Sequence, residues 1–381
     1  MTVLQAVFFL LWLAAAAFYI ISAWCVRSFY MRPRTAMGDA ALPPLTVLKP
    51  VKGADAGTYE NFLSFVLQDY PVYQVIFGIA DESDPAGEAV RRLISENPAL
   101  DISLVVTGEP SMPNAKVCNL MGMQAAVKHG ILVIADGDMR VGTDYLRSVA
   151  AGFADETVGL VTCLYRAANP RDLGSAFEAL TINTDFLPSV AVAERLEGLS
   201  FALGATMAVR RDALEAIGGL DRLADLLADD YQLGNLVKKA GYNLRLSGYV
   251  VDAVQTPETF AGYFSHQLRW ARTYRVCRPG GYFLSVLTKG TASSLFFLVA
   301  TGFSGAGWSV FAANLLIRYA QAVYIEAAYV RGAGVLRYFW LLPLKDVLSF
   351  VIWLMSFTGS VVVWKGERFT VDSDGRMLRV G

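Results

Sequence analysis

From Met1 to Val26 the chain carries no charged side chain. A run of that kind is stable only with an apolar environment around it. Residues 3–24, VLQAVFFLLWLAAAAFYIISAW, give about 22 mostly apolar positions, enough for a helix to cross a hydrocarbon core of roughly 30 Å. A cleaved signal peptide would show a basic segment ahead of a shorter apolar core, and neither is present. The pattern predicts an uncleaved anchor over 1–26. Arg27, Arg32 and Arg34 follow it, and the bias of basic residues toward the inner side of membranes predicts that the chain after the anchor faces the cytoplasm.

Residues 291–364 are the second apolar region. SSLFFLVATGFSGAGWSVFAANLLI (293–317) reads as one crossing, with small residues suited to close helix packing. VLSFVIWLMSFTGSVVVW (347–364) reads as another, whose start could lie upstream near Leu341. Between them Arg318, Glu326, Arg331 and Arg337 interrupt a helical stretch that could be a third crossing, an interfacial helix or a periplasmic connection. The basic tail KGERFTVDSDGRMLRV (365–380) favours a cytoplasmic end and an even number of C-terminal crossings. Composition agrees with a chain partly in lipid: only 18% of the 381 residues are charged, against about 25% for a soluble domain. A net charge of −1 leaves no basic footprint for nucleic acid. Cys25, Cys118, Cys163 and Cys277 show no metal spacing, and His129 and His266 are the only histidines, which excludes a His-rich zinc site.

Between anchor and apolar region the pattern alternates. Strands are predicted at LTVLKP (45–50), YQVIFGIAD (73–81), ISLVVTG (102–108) and ILVIAD (131–136), each separated from the next by a helical stretch. Alternation of this kind predicts an α/β domain with a mostly parallel sheet and helices on both faces. Runs such as ILVIA lack a polar side, as strands buried on both faces do. The layout is an anchor (1–26), a juxtamembrane linker (27–44), an α/β domain (45–288), a C-terminal transmembrane region (289–364) with two to three crossings, and a cytoplasmic tail (365–381).

Ligands of open α/β sheets bind at the carboxyl ends of the strands. Acidic residues collect at or near such ends: Asp81 after the second strand, Asp136 and Asp138 after the fourth, and Asp229 with Asp230 at a helix start. Two carboxylates one residue apart can hold a divalent cation through hard oxygen ligands, and such a cation neutralises a diphosphate. Singly, each cluster also reads as a turn or a helix cap; it is their combination in one domain that points to chemistry. The segment FSHQLRWARTYRVCRP (264–279) sets His266, Arg269, Arg272, Arg275 and Arg278 at spacings of three on a helix, with Trp270 beside them. That face suits anionic headgroups or the oxygens of a phosphate leaving group. Residues 172–197 mix apolar and polar positions at helical spacing and either lie on the membrane beside an acceptor's path or pack on the sheet.

Asp81 in GIADESDPA, Asp136 in IADGD, Asp230 in LADDYQLG and the HQLRW segment together resemble the D, D, D, (Q/R)xxRW set of membrane-bound family-two glycosyltransferases. KPVKG (49–53), ESDPA (82–86), NAKVCNL (114–120), VGLVTCLYRA (158–167) and FALGATMAVRRDALEAIGG (201–219) resemble the ceramide glucosyltransferase branch. HQLRWARTYRVCRPGGYF resembles that branch's hopanoid-associated bacterial enzymes. The resemblance covers about 45–285 and implies a GT-A fold. It implies an inverting transfer of glucose or N-acetylglucosamine from a UDP-sugar to a hydroxyl of a membrane lipid. The lipid would be first a hopanoid polyol, alternatively ceramide, and the setting a bacterial cytoplasmic membrane. A non-catalytic scaffold that keeps the fold is the remaining alternative. By resemblance, Asp81 contacts the uracil or ribose, and Lys49, Pro50, Asn114 and Lys116 line the same donor pocket. Asp136 binds the diphosphate through Mg2+ or Mn2+, with Asp138 as second carboxylate, and Asp230 is the general base. Arg269 and Trp270 hold the diphosphate and the acceptor mouth. His266 stands where the family has Gln or Arg, with Gln267 one position out of register.

Overall fold

The computed structural model describes residues 1–33, 38–364, 367–372 and 374–379. Arg34 of the linker, and tail residues 365–366, 373 and 380–381, lie outside the described residues. The N-terminal helix runs from Val3 to Tyr30, past the expected end at Val26, so Arg27 belongs to its last turn. Thr2 and Gln5 close a capping box at its start. One stripe of this helix, from Ala15 and Tyr19 to Phe29, is buried against neighbouring helices, while Val3, Leu10, Ile20 and Trp24 point outward.

The central sheet has eight strands: β1 (Leu45–Pro50), β2 (Tyr73–Ile79), β3 (Ile102–Val106), β4 (Ile131–Ile134), β5 (Met139–Arg140), β6 (Val158–Ala168), β7 (Met207–Arg210) and β8 (Asn243–Val254). Their order is β3-β2-β1-β4-β7-β6-β8-β5. The pairs β1–β2, β1–β4, β2–β3 and β6–β8 are parallel; β7 runs antiparallel to both its neighbours, and β5 to β8. The side-chain period of two splits the strands between two apolar clusters. Val47 and Val133 enter one, and Leu48, Leu132 and Ile134 the other, which is why neither strand has a polar side. From β1 the chain winds outward to β2 and β3, and then crosses to β4 on the opposite side. That reversal opens a crevice at the carboxyl ends of β1 and β4.

The membrane-side helices depart from expectation in three places. The crossing predicted over 293–317 is a helical hairpin: Gly290–Ala300, a turn, then Gly305–Ile325. Gly302 and Phe303 take positive φ in that turn, and Ser304 caps the second helix. The interrupted stretch after Arg318 continues the second helix through a π-helical turn, Glu326–Val330. It ends at Arg331 in left-handed conformation. The crossing predicted over 347–364 stops at Ser356. Its helix, Leu342–Ser356, begins beside Leu341, the upstream start the sequence allowed, and the 3₁₀ turn Leu336–Leu341 leads into it. Among the described residues two helices, Val3–Tyr30 and Leu336–Ser356, are long and apolar enough to cross a membrane. A third is added if the pair Pro279–Thr288 and Gly290–Ala300, bent by 58°, counts as one.

Val361–Trp364 is a strand, β9, that pairs with β10 (Glu367–Val371) and through it with β11 (Met377–Arg379). The end of the predicted crossing and the expected cytoplasmic tail thus form a small antiparallel sheet docked on the α/β domain. Its core is Val362, Phe369, Val371 and Met377 around Leu227. Met377 donates its N–H to the Asp225 carbonyl at 2.8 Å, and Leu227 donates to Gly375 at 3.0 Å.

Candidate active site

Helix Ala115–Met123 brings the first cation to the crevice. Asn114 caps it, accepting from the Val117 N–H, while its amide donates to the Leu226 carbonyl at 2.8 Å. Asn114 is therefore buried in the framework and does not face the cavity. Two residues on, the Lys116 ammonium lies 2.8 Å from Asp136 Oδ1 and 3.0 Å from Asp229 Oδ2. Burial opposes its charge, but Asp136, Asp229 and Asp230 outweigh that and raise its pKa above the ordinary lysine value.

Lys49 is also set behind the wall. It is fully buried in β1, its ammonium 2.7 Å from the Asp136 carbonyl oxygen and 3.6 Å from the centre of the Phe65 ring. Burial lowers its pKa to about 7, against the pull of Asp138 and Asp136. Lys49 thus supports the strand end that carries Asp136; Pro50, next in the chain, does line the cavity.

Asp136 and Asp138 follow β4, and Asp229 and Asp230 open the helix Asp229–Lys239. The two segments meet over Gly204, whose N–H donates to Asp230 Oδ2 at 3.0 Å. A Cβ on Gly204 would stand 2.6 Å from Asp136 Oδ2 and 3.5 Å from Asp230 Oδ2. Both carboxylates therefore reach one point, and only glycine leaves it open. Burial and then Asp136 raise Asp138 to about 6; burial and then Asp229 raise Asp230 to about 6. Asp138 touches cavity solvent but has protein crowded around it.

Asp81 lies at the outer end of the same cavity, exposed, with Oδ1 accepting from the N–H and hydroxyl of Ser83. On the opposite wall the helix Phe260–Cys277 carries Arg269, His266 and Trp270. The Arg269 guanidinium makes no hydrogen bond or ion pair among the described residues, and burial lowers its pKa. Glu178 joins the cavity from the helix Leu173–Thr181. It takes His266 Nδ1 at 3.2 Å and Gln267 Nε2 at 2.9 Å. Arg272 and Arg275 turn away, donating to carbonyls at Val361, Thr358 and Gly359, and Arg278 pairs with Glu197. Of the arginines at spacings of three, Arg269 is the one free to meet a ligand in the cavity.

The cavity encloses about 1820 Å³ and runs from Asp81, past the carboxylates, to Phe18, Tyr19, Lys289 and Trp353 of the membrane-side helices. Sequence reasoning gave no role to Glu178 or Gly204. Gly204 stood inside the quoted FALGATM segment, but its close approach to two carboxylates depends on segments far apart in the chain.

Among the described residues no group of three or more His, Cys, Asp or Glu side chains is arranged to hold a metal ion. The donors present still fit one. Asp136 and Asp138 offer hard oxygens, and Asp136, Asp138, Asp229 and Asp230 outnumber the ammoniums of Lys49 and Lys116 beside them. Mg2+ typically binds through one or two carboxylates and completes its shell with substrate phosphate and water.

The α/β sheet, its switch-point crevice and the carboxylates around it define a glycosyltransferase of GT-A type. The chain belongs to glycosyl transferase family 21, whose profile matches residues 7–377. It is 23% identical over 359 residues to Ceramide glucosyltransferase 1 of Caenorhabditis elegans, covering 92% of this chain and 76% of that one. It is 26% identical over 272 residues to Probable glycosyltransferase YdaM of Bacillus subtilis (strain 168), covering 69% of this chain and 63% of that one, just under two thirds. The mannosyltransferase PcManGT from Pyrobaculum calidifontis, solved with GDP-Man and Mn2+, shares the fold. That likeness has a TM-score of 0.56 at 21% identity and covers 93% of this chain and 99% of that one.

Proposed function

We propose that the protein transfers a hexose, glucose or N-acetylglucosamine, from a UDP-sugar to the hydroxyl of a membrane lipid. The observation that carries this is a single cavity joining the carboxylate cluster to the membrane-side helices. A water-soluble donor enters at the Asp81 end, and a lipid acceptor reaches the carboxylates from the other. Ceramide glucosyltransferases recur among the relatives, which favours a ceramide-type acceptor over the hopanoid polyol expected from the motifs.

Asp230 is the proposed base. It takes the proton of the lipid hydroxyl as that oxygen forms the new bond to the anomeric carbon. The bond from that carbon to the diphosphate breaks on the opposite face, so configuration inverts. Gly204 fixes the carboxylate through its N–H and leaves room beside it. Arg269 has no hydrogen-bond or ion-pair partner among the described residues and suits the leaving diphosphate. His266, oriented by Glu178, borders that group and stacks edge-on to Trp270 at the acceptor side. Asp81 takes the ribose or uracil. Lys116 and Lys49 hold Asp136 in position from two sides. Asp136 and Asp138 would hold Mg2+ or Mn2+, which supplies positive charge against the departing diphosphate. The anchor and the basic residues after it support a membrane-bound domain that faces the cytoplasm; the bacterial inner membrane rests on the resemblance to hopanoid-associated bacterial enzymes.

The test is an assay in detergent that offers UDP-glucose and UDP-N-acetylglucosamine against ceramide, a hopanoid polyol and diacylglycerol. The reading predicts a glycolipid product with ceramide above the other two. UDP binding without sugar release for any lipid would instead mark a non-catalytic scaffold.

A further inference from the structure

Along the helix Phe260–Cys277 the cavity-facing stripe does not stop at Trp270. One turn further on, Tyr274 lines the same cavity, and the transfer chemistry above gives it no part. Its ring meets Trp270 edge-on at 6.3 Å. It is 41% exposed, and its hydroxyl makes no hydrogen bond among the described residues. A contact at the end of the helix shows where this stretch sits. Tyr231, the residue after Asp230, donates its hydroxyl to the Cys277 carbonyl at 3.3 Å. That bond holds the end of the helix beside the start of Asp229–Lys239, so Tyr274 and Asp230 face the same part of the cavity. The charges agree. Crowding by protein and then Asp230 raise the Tyr274 pKa above the ordinary phenol value, and no other charge acts on it more strongly than Asp230.

Asp230 already has one donor on each carboxylate oxygen. Gly204 N–H reaches Oδ2 at 3.0 Å and Tyr231 N–H reaches Oδ1 at 2.7 Å. Tyr274 is not among them, so its O–H is left for a ligand atom lying between the phenol and the carboxylate. Tyr165 also feels Asp230, but it is 9% exposed with its ring 4.9 Å from Phe186. Tyr274 is the phenol that a ligand can reach.

We propose that Tyr274 touches the acceptor: its O–H donates to the lipid oxygen whose proton Asp230 takes, so that two side chains hold that oxygen from two sides. The proton passes from the lipid hydroxyl to the Asp230 carboxylate. An electron pair of the oxygen forms the bond to the anomeric carbon, and the pair of the broken carbon–oxygen bond leaves with the diphosphate. Tyr274 keeps its own proton throughout, because a phenol raised in this way stays neutral where Asp230 ionises. Its contribution is orientation of the attacking oxygen. The inference rests on the reading of Asp230 as base and adds a second group at the same atom.

The test uses the full-length protein in nanodiscs with Mg2+. It takes UDP-glucose or UDP-N-acetylglucosamine with ceramide, a hopanoid polyol or diacylglycerol, whichever pair the wild type turns over fastest. Tyr274→Phe keeps the ring against Trp270 and removes only the hydroxyl. It should lower kcat about tenfold, the scale of one hydrogen bond, with KM for the UDP-sugar within about twofold and the melting temperature at the wild-type value. Tyr274→Leu should lose about as much. In Asp230→Asn, where no proton is taken, adding Tyr274→Phe should cost the residual rate less than about twofold. Wild-type kcat in Tyr274→Phe with a loss confined to Tyr274→Leu would reduce the residue to packing and overturn the inference. A full tenfold further loss in the double variant would overturn it too. A wild type that glycosylates none of the three lipids would remove the transferase reading and this inference with it. An active wild type matched by Tyr274→Phe would remove this inference alone.

Discussion

Lys116 bridges Asp136 and Asp229, and Gly204 sits where Asp136 and Asp230 converge. These contacts make the charge balance of the site sensitive to small displacements. Gly204→Ala puts a methyl 2.6 Å from Asp136 Oδ2, so a carboxylate must move. Misplacement by about 1 Å at a reacting centre costs roughly a hundredfold in rate. Turnover should fall on that scale with the far-ultraviolet spectrum and melting temperature near wild type; wild-type turnover would free Gly204 of this role. The pH profile follows from Asp230. Burial and Asp229 raise its pKa to about 6, and a base works only when ionised. Activity should be full above that value and fall as pH drops through it. An initial-rate profile flat down to about pH 4, the ordinary aspartate range, would remove an unbound Asp230 from the rate. Chelation with EDTA should abolish transfer and added Mg2+ or Mn2+ should restore it, because Asp136, Asp138, Asp229 and Asp230 outnumber the ammoniums of Lys49 and Lys116; transfer undiminished in EDTA would contradict a metal at these residues.

At the scale of elements, the docked C-terminal sheet ties the loop before Asp229 to the end of the chain. Phe369 is 2% exposed in its small core, and Leu227 and Asp225 hydrogen-bond to Gly375 and Met377. Phe369→Ala should weaken this core by about 3 kcal/mol, the usual range for a buried Phe. Limited proteolysis should then cut first after Ser356 while the main sheet resists. A cleavage pattern like wild type would show that the tail sheet is held by other contacts. The same sheet marks the limit of what the sequence reveals. Residues 361–364, VVVW, are as apolar as a membrane helix, and only Gly359 and Ser360 before them signal a break. In the hairpin, Gly302 and Ser304 were the turn signal, masked because both arms are apolar enough to read as one span. The strand-end carboxylates were legible because their position follows from local alternation alone. Glu178 was not, because its meaning comes from His266 and Gln267, about ninety residues away in the chain.

For the whole molecule, the consequential feature is that one cavity runs from the strand-end carboxylates to the apolar membrane-side helices. Its sheet end is lined by Asp81, Lys116 and Asp136, its far end by Tyr19, Lys289 and Trp353 from helices that flank the α/β domain. The helices thus do more than anchor: they complete the wall on the side from which a lipid would arrive. The most direct measurement compares wild type with Asp230→Asn in nanodiscs containing ceramide, supplied with radiolabelled UDP-glucose and Mg2+. The account predicts labelled glycolipid from the wild type. It predicts product reduced by about a hundredfold or more in the variant, with UDP affinity within about twofold. Glycolipid formed at the wild-type rate by Asp230→Asn, or label released only to water by the wild type, would contradict it.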